Sequence, residues 1–179
     1  MTANDLLLTI SSDSIRSLVR EVMVNDIPKY FFHVAASSTG KYHPQFSLGE
    51  GGLARHTIVV AYFASRIADA WDCTQHEKDI VIAAALLHDG IKQGKTEGHT
   101  THDHPLLMAN ILNDKYAAKY PEAKEIAHVI ESHMGRWTTS PHSTVVLPKP
   151  KDKLQYLLSA ADMCAATREL AFTADFFAK

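Results

Sequence analysis

Only two cysteines, Cys73 and Cys164, occur among 179 residues. They are far apart and outside any CxxC motif, which excludes a disulfide framework and a thiolate zinc site and leaves two buried or partly buried thiols as the expectation. No apolar run approaches the ~20 residues needed to span a bilayer. The N-terminal MTANDLLLTISSD has no basic segment ahead of its short apolar stretch, so no secretory leader and no membrane partner are expected, and a cytoplasmic protein is. An excess of charge of one sign is missing too. Eighteen Lys and Arg oppose twenty Asp and Glu, for a net charge of −2, so there is no global basic field for nonspecific nucleic-acid binding. HExxH is absent, and only Glu125 to His128 has the Glu-x-x-His spacing, which argues against ferritin-like carboxylate chemistry. β-like sequence is almost lacking: Val145 to Leu147 is the one run, too short to found a sheet.

What is present points to an all-α fold. The hydrophobic fraction of 46% suffices for one packed core, so residues 1–179 read as a single domain without internal repeats. Ser11 to Asp13 offer N-caps before a helix in which Ile15, Leu18, Val19 and Val22 share a face. Residues 29–37 read as a second, short helix after Pro28. A long turn-rich loop follows over 37–52, of a length more often functional than filler. Residues 53–71 carry a helical period with His56 near the start. Residues 80–88 are apolar on every side, as in a helix buried within a bundle, and end on His88 and Asp89. Further helices are expected over 105–120, with His104 at the start, over 121–135, with His133 in the last turn, and over 153–170, which contains Asp162.

Histidine is the abundant residue, with eleven copies. Abundance proves nothing, so position must decide. His88 and Asp89 end a fully apolar helix, where two polar side chains need compensation. His56, His104, His133 and Asp162 each fall on or beside a different helix, and a bundle can converge such side chains on one point. Four imidazoles and two carboxylates suit two first-row divalent ions, with one carboxylate able to bridge them. His99 and His102 stand as alternatives to His104. His76, His128 and His142 read as ordinary core or surface residues. Asp162 sits among small apolar residues in SAADMCAA, where its alternative to a metal is a salt bridge to Arg168 or Lys92.

The order His, His-Asp, His, His, Asp resembles the HD superfamily of metal-dependent phosphohydrolases, with HDGIK standing where that family often has HDxxK or HDxGK. The resemblance runs roughly from Tyr42 to Glu169. GEGGLARHT, THDHPLLMAN, ESHMG and SAADMCAA look most like the HD domain of bacterial 3′-to-5′ exoribonucleases and related phage and plasmid proteins. It implies a compact HD-domain bundle with one or two divalent ions (Mn2+, Fe2+, Mg2+, Ni2+ or Co2+) in its core. Asp89 would bridge them, and metal-activated water would attack a phosphate ester. Lys92 would face the developing phosphate charge. His99 and His102 are candidates to protonate the leaving oxygen, Arg136 to hold a second phosphate, and His43 and Lys41 to reach the pocket from the long loop. The exonucleases carry a separate OB-fold, for which there is no room here, so a nucleotide or short oligonucleotide is the expected partner. A di-iron oxygenase acting on a small molecule is the alternative activity, and a non-catalytic nucleotide-binding module the alternative class. A homo-oligomer is left open.

Overall fold

Local capping and apolar periodicity set the helices of the computed structural model, which describes residues 2–37 and 43–168. In chain order they are α1 (Ala3–Leu7), α2 (Asp13–Asn25), α3 (Gly52–Ala70), α4 (Gln75–Leu87), α5 (His104–Ile111), α6 (Glu122–Ile130) and α7 (Lys153–Ala166). Short 3₁₀ turns cover Lys29–Phe32 and Gln45–Ser47, and a π turn covers Leu112–Tyr116. No strand occurs among the described residues; Ser140 and Ser143 form one isolated bridge. The protein is therefore all-helical, and no described helix is long and apolar enough to cross a membrane.

Helix α4 is the hub. It packs against α2, α3, α6 and α7, and every residue from Asp79 to Leu87 is buried, which explains its lack of a polar face. It starts earlier than the apolar run suggests, because Thr74 and Glu77 form a capping box: Glu77 N–H donates to Thr74 Oγ1 at 3.2 Å, and Thr74 N–H donates to Glu77 Oε2 at 2.7 Å. Helix α3 lays Leu53, His56, Thr57, Val60, Ala61, Ala64 and Ala68 against the core at helical spacing.

Three expectations change. Residues 29–37 form only a 3₁₀ turn, because the backbone after it is spent elsewhere. His33 C=O accepts from Gly51 N–H and Val34 C=O from Leu53 N–H, both at 2.9 Å, while Ala36 N–H donates to Ser47 C=O at 3.0 Å. The first two bonds cap the start of α3, whose own N-cap, Gly51, has no side chain to do so. A Cβ on Gly52 would meet the Ser47 backbone carbon at 2.7 Å, so glycine permits this close approach. The helix expected over 105–120 turns π at Leu112. There Tyr116 and Tyr120 donate to Asp26 and Glu21 of the α2 region at 2.5 and 2.7 Å. Of the two thiols, Cys73 is buried, as expected, but Cys164 is exposed.

One buried carboxylate ties the N-terminal segment to the hub. Asp79 accepts from Ser11 N–H and Ser12 N–H, both at 2.9 Å, and from Gln75 Nε2 at 2.8 Å. Asp79→Ala strands these donors and should lower stability by about 1–3 kcal/mol. Urea unfolding checks this, and an unchanged midpoint would show that the clasp contributes nothing.

Candidate metal centre

The hub helix ends where the other elements point inward. His56 comes from the second turn of α3, His88 and Asp89 directly follow α4, His104 opens α5, and Asp162 lies in α7. His133 falls in the turn beyond α6 rather than in its last helical turn, since α6 closes at Ile130. Gly135, at φ +60°, turns the chain there, and a Cβ on it would run into the Ser159 hydroxyl. Gly90 of HDGIK serves packing rather than a left-handed turn, as a Cβ there would meet Met108 Cε at 2.7 Å.

Asp89 lies at the middle of this cluster. Its Oδ2 is 3.5 Å from His88 Nε2, 3.8 Å from His56 Nε2 and 2.5 Å from Lys92 Nζ. Its Oδ1 is 3.0 Å from His104 Nε2 and 3.7 Å from His133 Nε2. Asp162 Oδ1 joins the first group, 2.9 Å from His56 Nε2 and 4.0 Å from His88 Nε2. The two oxygens of Asp89 thus face different sets of donors. All are buried except Asp162, whose side chain is 21% exposed, and Lys92, at 14%. Lys92 pairs with Asp89, while Asp162 meets His56.

Tautomers make the case for a cation. Three imidazoles turn Nδ1 to the carbonyl three residues back: His88 to Ala85 at 2.7 Å, His104 to Thr101 at 2.7 Å and His133 to Ile130 at 2.9 Å. A carbonyl only accepts, so each Nδ1 carries a proton, and each ring when neutral aims an Nε2 lone pair at the centre. Burial pushes His133 down to about 3, helped by His88 and His104, and burial also lowers His88. His104 Nε2 and His133 Nε2 stand 3.2 Å apart, where two neutral rings so oriented would set lone pair against lone pair. His88 Nε2 and Asp89 Oδ1 are buried without hydrogen-bond partners. Burial raises the Asp89 and Asp162 carboxyls, but this is outweighed by Lys92, His88 and His104 at the first and by His56, His88 and His133 at the second. Both end below the usual carboxylate range.

A divalent ion fits this donor set. The ligand atoms of His56, His88 and Asp162 lie within 4.8 Å of one another, as do those of His88, Asp89 and His133. Bonds of about 2.0–2.2 Å put adjacent donors about 3 Å apart, so small adjustments would close either set. The imidazole and carboxylate donors suit several first-row ions and do not select one.

The remaining candidates spread out. His43 stacks edge-on against His56, with ring centroids 5.1 Å apart. Its Nδ1 is buried without a partner, and burial, with Lys92 and His56, holds it down to about 4. His102 approaches Thr138 C=O at 3.2 Å and, like His104, lines a cleft. His99 is exposed, and so is Arg136, which stacks over the Trp137 ring at 4.6 Å. Lys41 lies outside the described residues. His76 and His128 pair with the surface carboxylates of Glu125 and Asp152. Tyr30 went unnoticed in the sequence: its hydroxyl accepts from Gln93 N–H at 2.9 Å and donates to Gly94 C=O at 2.8 Å, pinning the turn that carries Lys92. An aromatic residue in a short apolar stretch gives no sign of such a tether.

Metal binding to the folded state should raise thermal stability, by about 2.7 kcal/mol at a hundredfold excess over Kd. Asp89→Ala or His133→Ala should remove most of the Mn2+-induced rise in Tm and lower bound metal by elemental analysis. His128→Ala should keep both. Equal behaviour of the three variants would refute the donor assignment.

Residues 53–167, a span that includes all six donors, match the family model described as HD domain. No curated protein and no solved structure matches the chain. By that match over more than half its length, the chain belongs to the HD domain family, whose members are typically metal-dependent hydrolases.

Proposed function

We propose that the protein is a metal-dependent phosphohydrolase that cleaves a phosphate ester of a nucleotide or short oligonucleotide, with His56, His88, Asp89, His104, His133 and Asp162 as metal ligands. The likeness of its motif segments to exoribonuclease HD domains supports a substrate of nucleotide type. The observation that carries the reading is the placement of Lys92, with Nζ 2.5 Å from Asp89 Oδ2 and a side chain 14% exposed. A cation held there, beside a buried cluster of donors, is suited to meet negative charge as it shifts across a phosphoryl group. Divalent ions, when bound, supply Lewis acidity that neutralises phosphoryl charge and makes water a competent nucleophile near neutral pH.

The chain's own residues do the rest. Lys92 orients and stabilises the phosphoryl oxygens, and Tyr30 holds the turn from which it projects. His43 stays neutral near pH 7 and offers its buried Nδ1 to a substrate hydrogen bond. His102, on a wall beside His104, is better placed than exposed His99 to approach a leaving oxygen. Arg136, exposed and stacked on Trp137, is the candidate contact for a second phosphate.

Lys92→Met keeps the aliphatic stem and deletes the ammonium. In protein loaded with Mn2+ or Fe2+ to as many as two ions per chain, metal content should survive and kcat on a phosphate ester should fall about 10- to 1000-fold, with a smaller change in KM. An unchanged kcat/KM would remove Lys92 from the chemistry. Oxygen consumption by the iron-loaded protein, without phosphate release from any ester, would favour the di-iron oxygenase instead.

A further inference from the structure

Four imidazoles face the candidate metal centre, and three of them are held from behind. His88, His104 and His133 each donate Nδ1–H to a backbone carbonyl. His56 makes no such bond. It lies inside α3, where the carbonyl three residues back is spent on a helical N–H, and its Nδ1 is buried without a partner. Its other nitrogen is contested. Nε2 stands 2.9 Å from Asp162 Oδ1, and a carboxylate at that distance draws a proton onto the side from which an ion would be held. A proton on Nε2 leaves no lone pair there for a metal, so the tautomer of His56 needs an anchor that its own backbone does not supply.

The ring beside it is that of His43. It stands edge-on to His56, with centroids 5.1 Å apart and planes at 69°, and its Nδ1 is also buried without a partner. An N–H···N bond of about 3 Å sets the centres of two imidazoles about 5 Å apart, so the separation suits such a bond. The turn next to His43 is fastened to the same stretch of α3. Pro44 is buried and caps the turn at Gln45–Ser47. Arg55, the neighbour of His56, donates from Nε to Phe46 C=O at 2.6 Å and from Nη2 to Leu48 C=O at 3.1 Å. His43 is therefore brought to His56 by contacts that neither ring makes.

From this we infer that His43 is a positioning residue for the metal centre: in the substrate-free protein its Nδ1 accepts a hydrogen bond from His56 Nδ1–H, which turns the His56 Nε2 lone pair toward the ion. One bond then satisfies two buried nitrogens that would otherwise both stay unpaired, an unfavourable state. The inference rests on His56 being a ligand and is independent of the ester that is cleaved. The accepting nitrogen is the one assigned to a substrate hydrogen bond, so a substrate that takes it competes with His56.

The direct test is nuclear magnetic resonance of the Zn2+-loaded full chain with histidine labelled at both ring nitrogens. A scalar coupling should join His56 Nδ1 to His43 Nδ1 across the bond. A protonated His56 Nδ1 without that coupling, as a water partner would give, overturns the inference. Calorimetric titration with Mn2+ supplies a second readout. His43→Phe keeps an aromatic ring and removes the nitrogens, and should raise Kd about 10- to 100-fold, as is typical when the partner behind a metal-bound histidine is lost. His43→Gln, whose amide oxygen accepts, should recover most of that loss, and Tm in EDTA should be alike in all three proteins. Wild-type affinity in His43→Phe, an equal loss in both variants, or a fall of Tm in EDTA that parallels the loss overturns the inference and leaves the donor assignment standing. Should a variant fail to fold, the coupling in the wild-type chain decides. Failure of the wild-type chain to bind Mn2+ overturns the donor assignment and the inference with it.

Discussion

Withdrawing an ionised carboxylate from water costs several kcal/mol unless cations and donors surround it, and the Asp89 carboxylate is buried where the hub helix ends. Its two oxygens are met from opposite sides, by His56, His88 and Lys92 at one and by His104 and His133 at the other. Lys92 balances the single charge of Asp89. The second carboxylate, Asp162, faces His56 and His88, and a divalent ion held among these donors would offset its charge.

The bundle is shaped to deliver that arrangement. Helix α4 can end in a polar pair inside the protein because α2, α3, α6 and α7 wrap it and its terminal residues meet side chains from α3, α5 and α7. The start of α3 is fixed by backbone bonds from residues 33 to 36, which sets the depth of His56 one turn later. His88, His104 and His133 are held by carbonyls of their own preceding turns. The local backbone thereby orients each ring before any metal arrives, and preorganisation of this kind makes ligands better donors. Asp162 differs: it is partly open to solvent and faces the group formed by His56 and His88, which leaves that side the more accessible.

Much of the fold was legible in the sequence because its signals are local. The apolar run at 80–88 announced a buried helix, and the caps and period at 11–24 announced α2. The six donors were legible as types at the ends of distinct helices, but the division of Asp89 between two groups was not, since it depends on which oxygen turns which way. The 3₁₀ turn at Lys29–Phe32 was read as a longer helix because the bonds that stop it come from residues 47 to 53, out of reach of a local pattern. The arm at 136–152 has neither helical period nor strand alternation, so the cleft it forms beside His104 leaves no local signal either.

On the phosphohydrolase reading, the placement of Lys92 bears on how binding energy would be used. Contacts that do not change as phosphorus is attacked bind ground state and transition state alike, so their value would lie in placement, which lowers the entropic cost of reaction. Lys92, held beside Asp89 on a turn that the Tyr30 hydroxyl pins, would act on charge that shifts during the reaction, and there differential stabilisation is available. Because Asp89 already positions that ammonium, little reorganisation would be needed to meet the shifting charge.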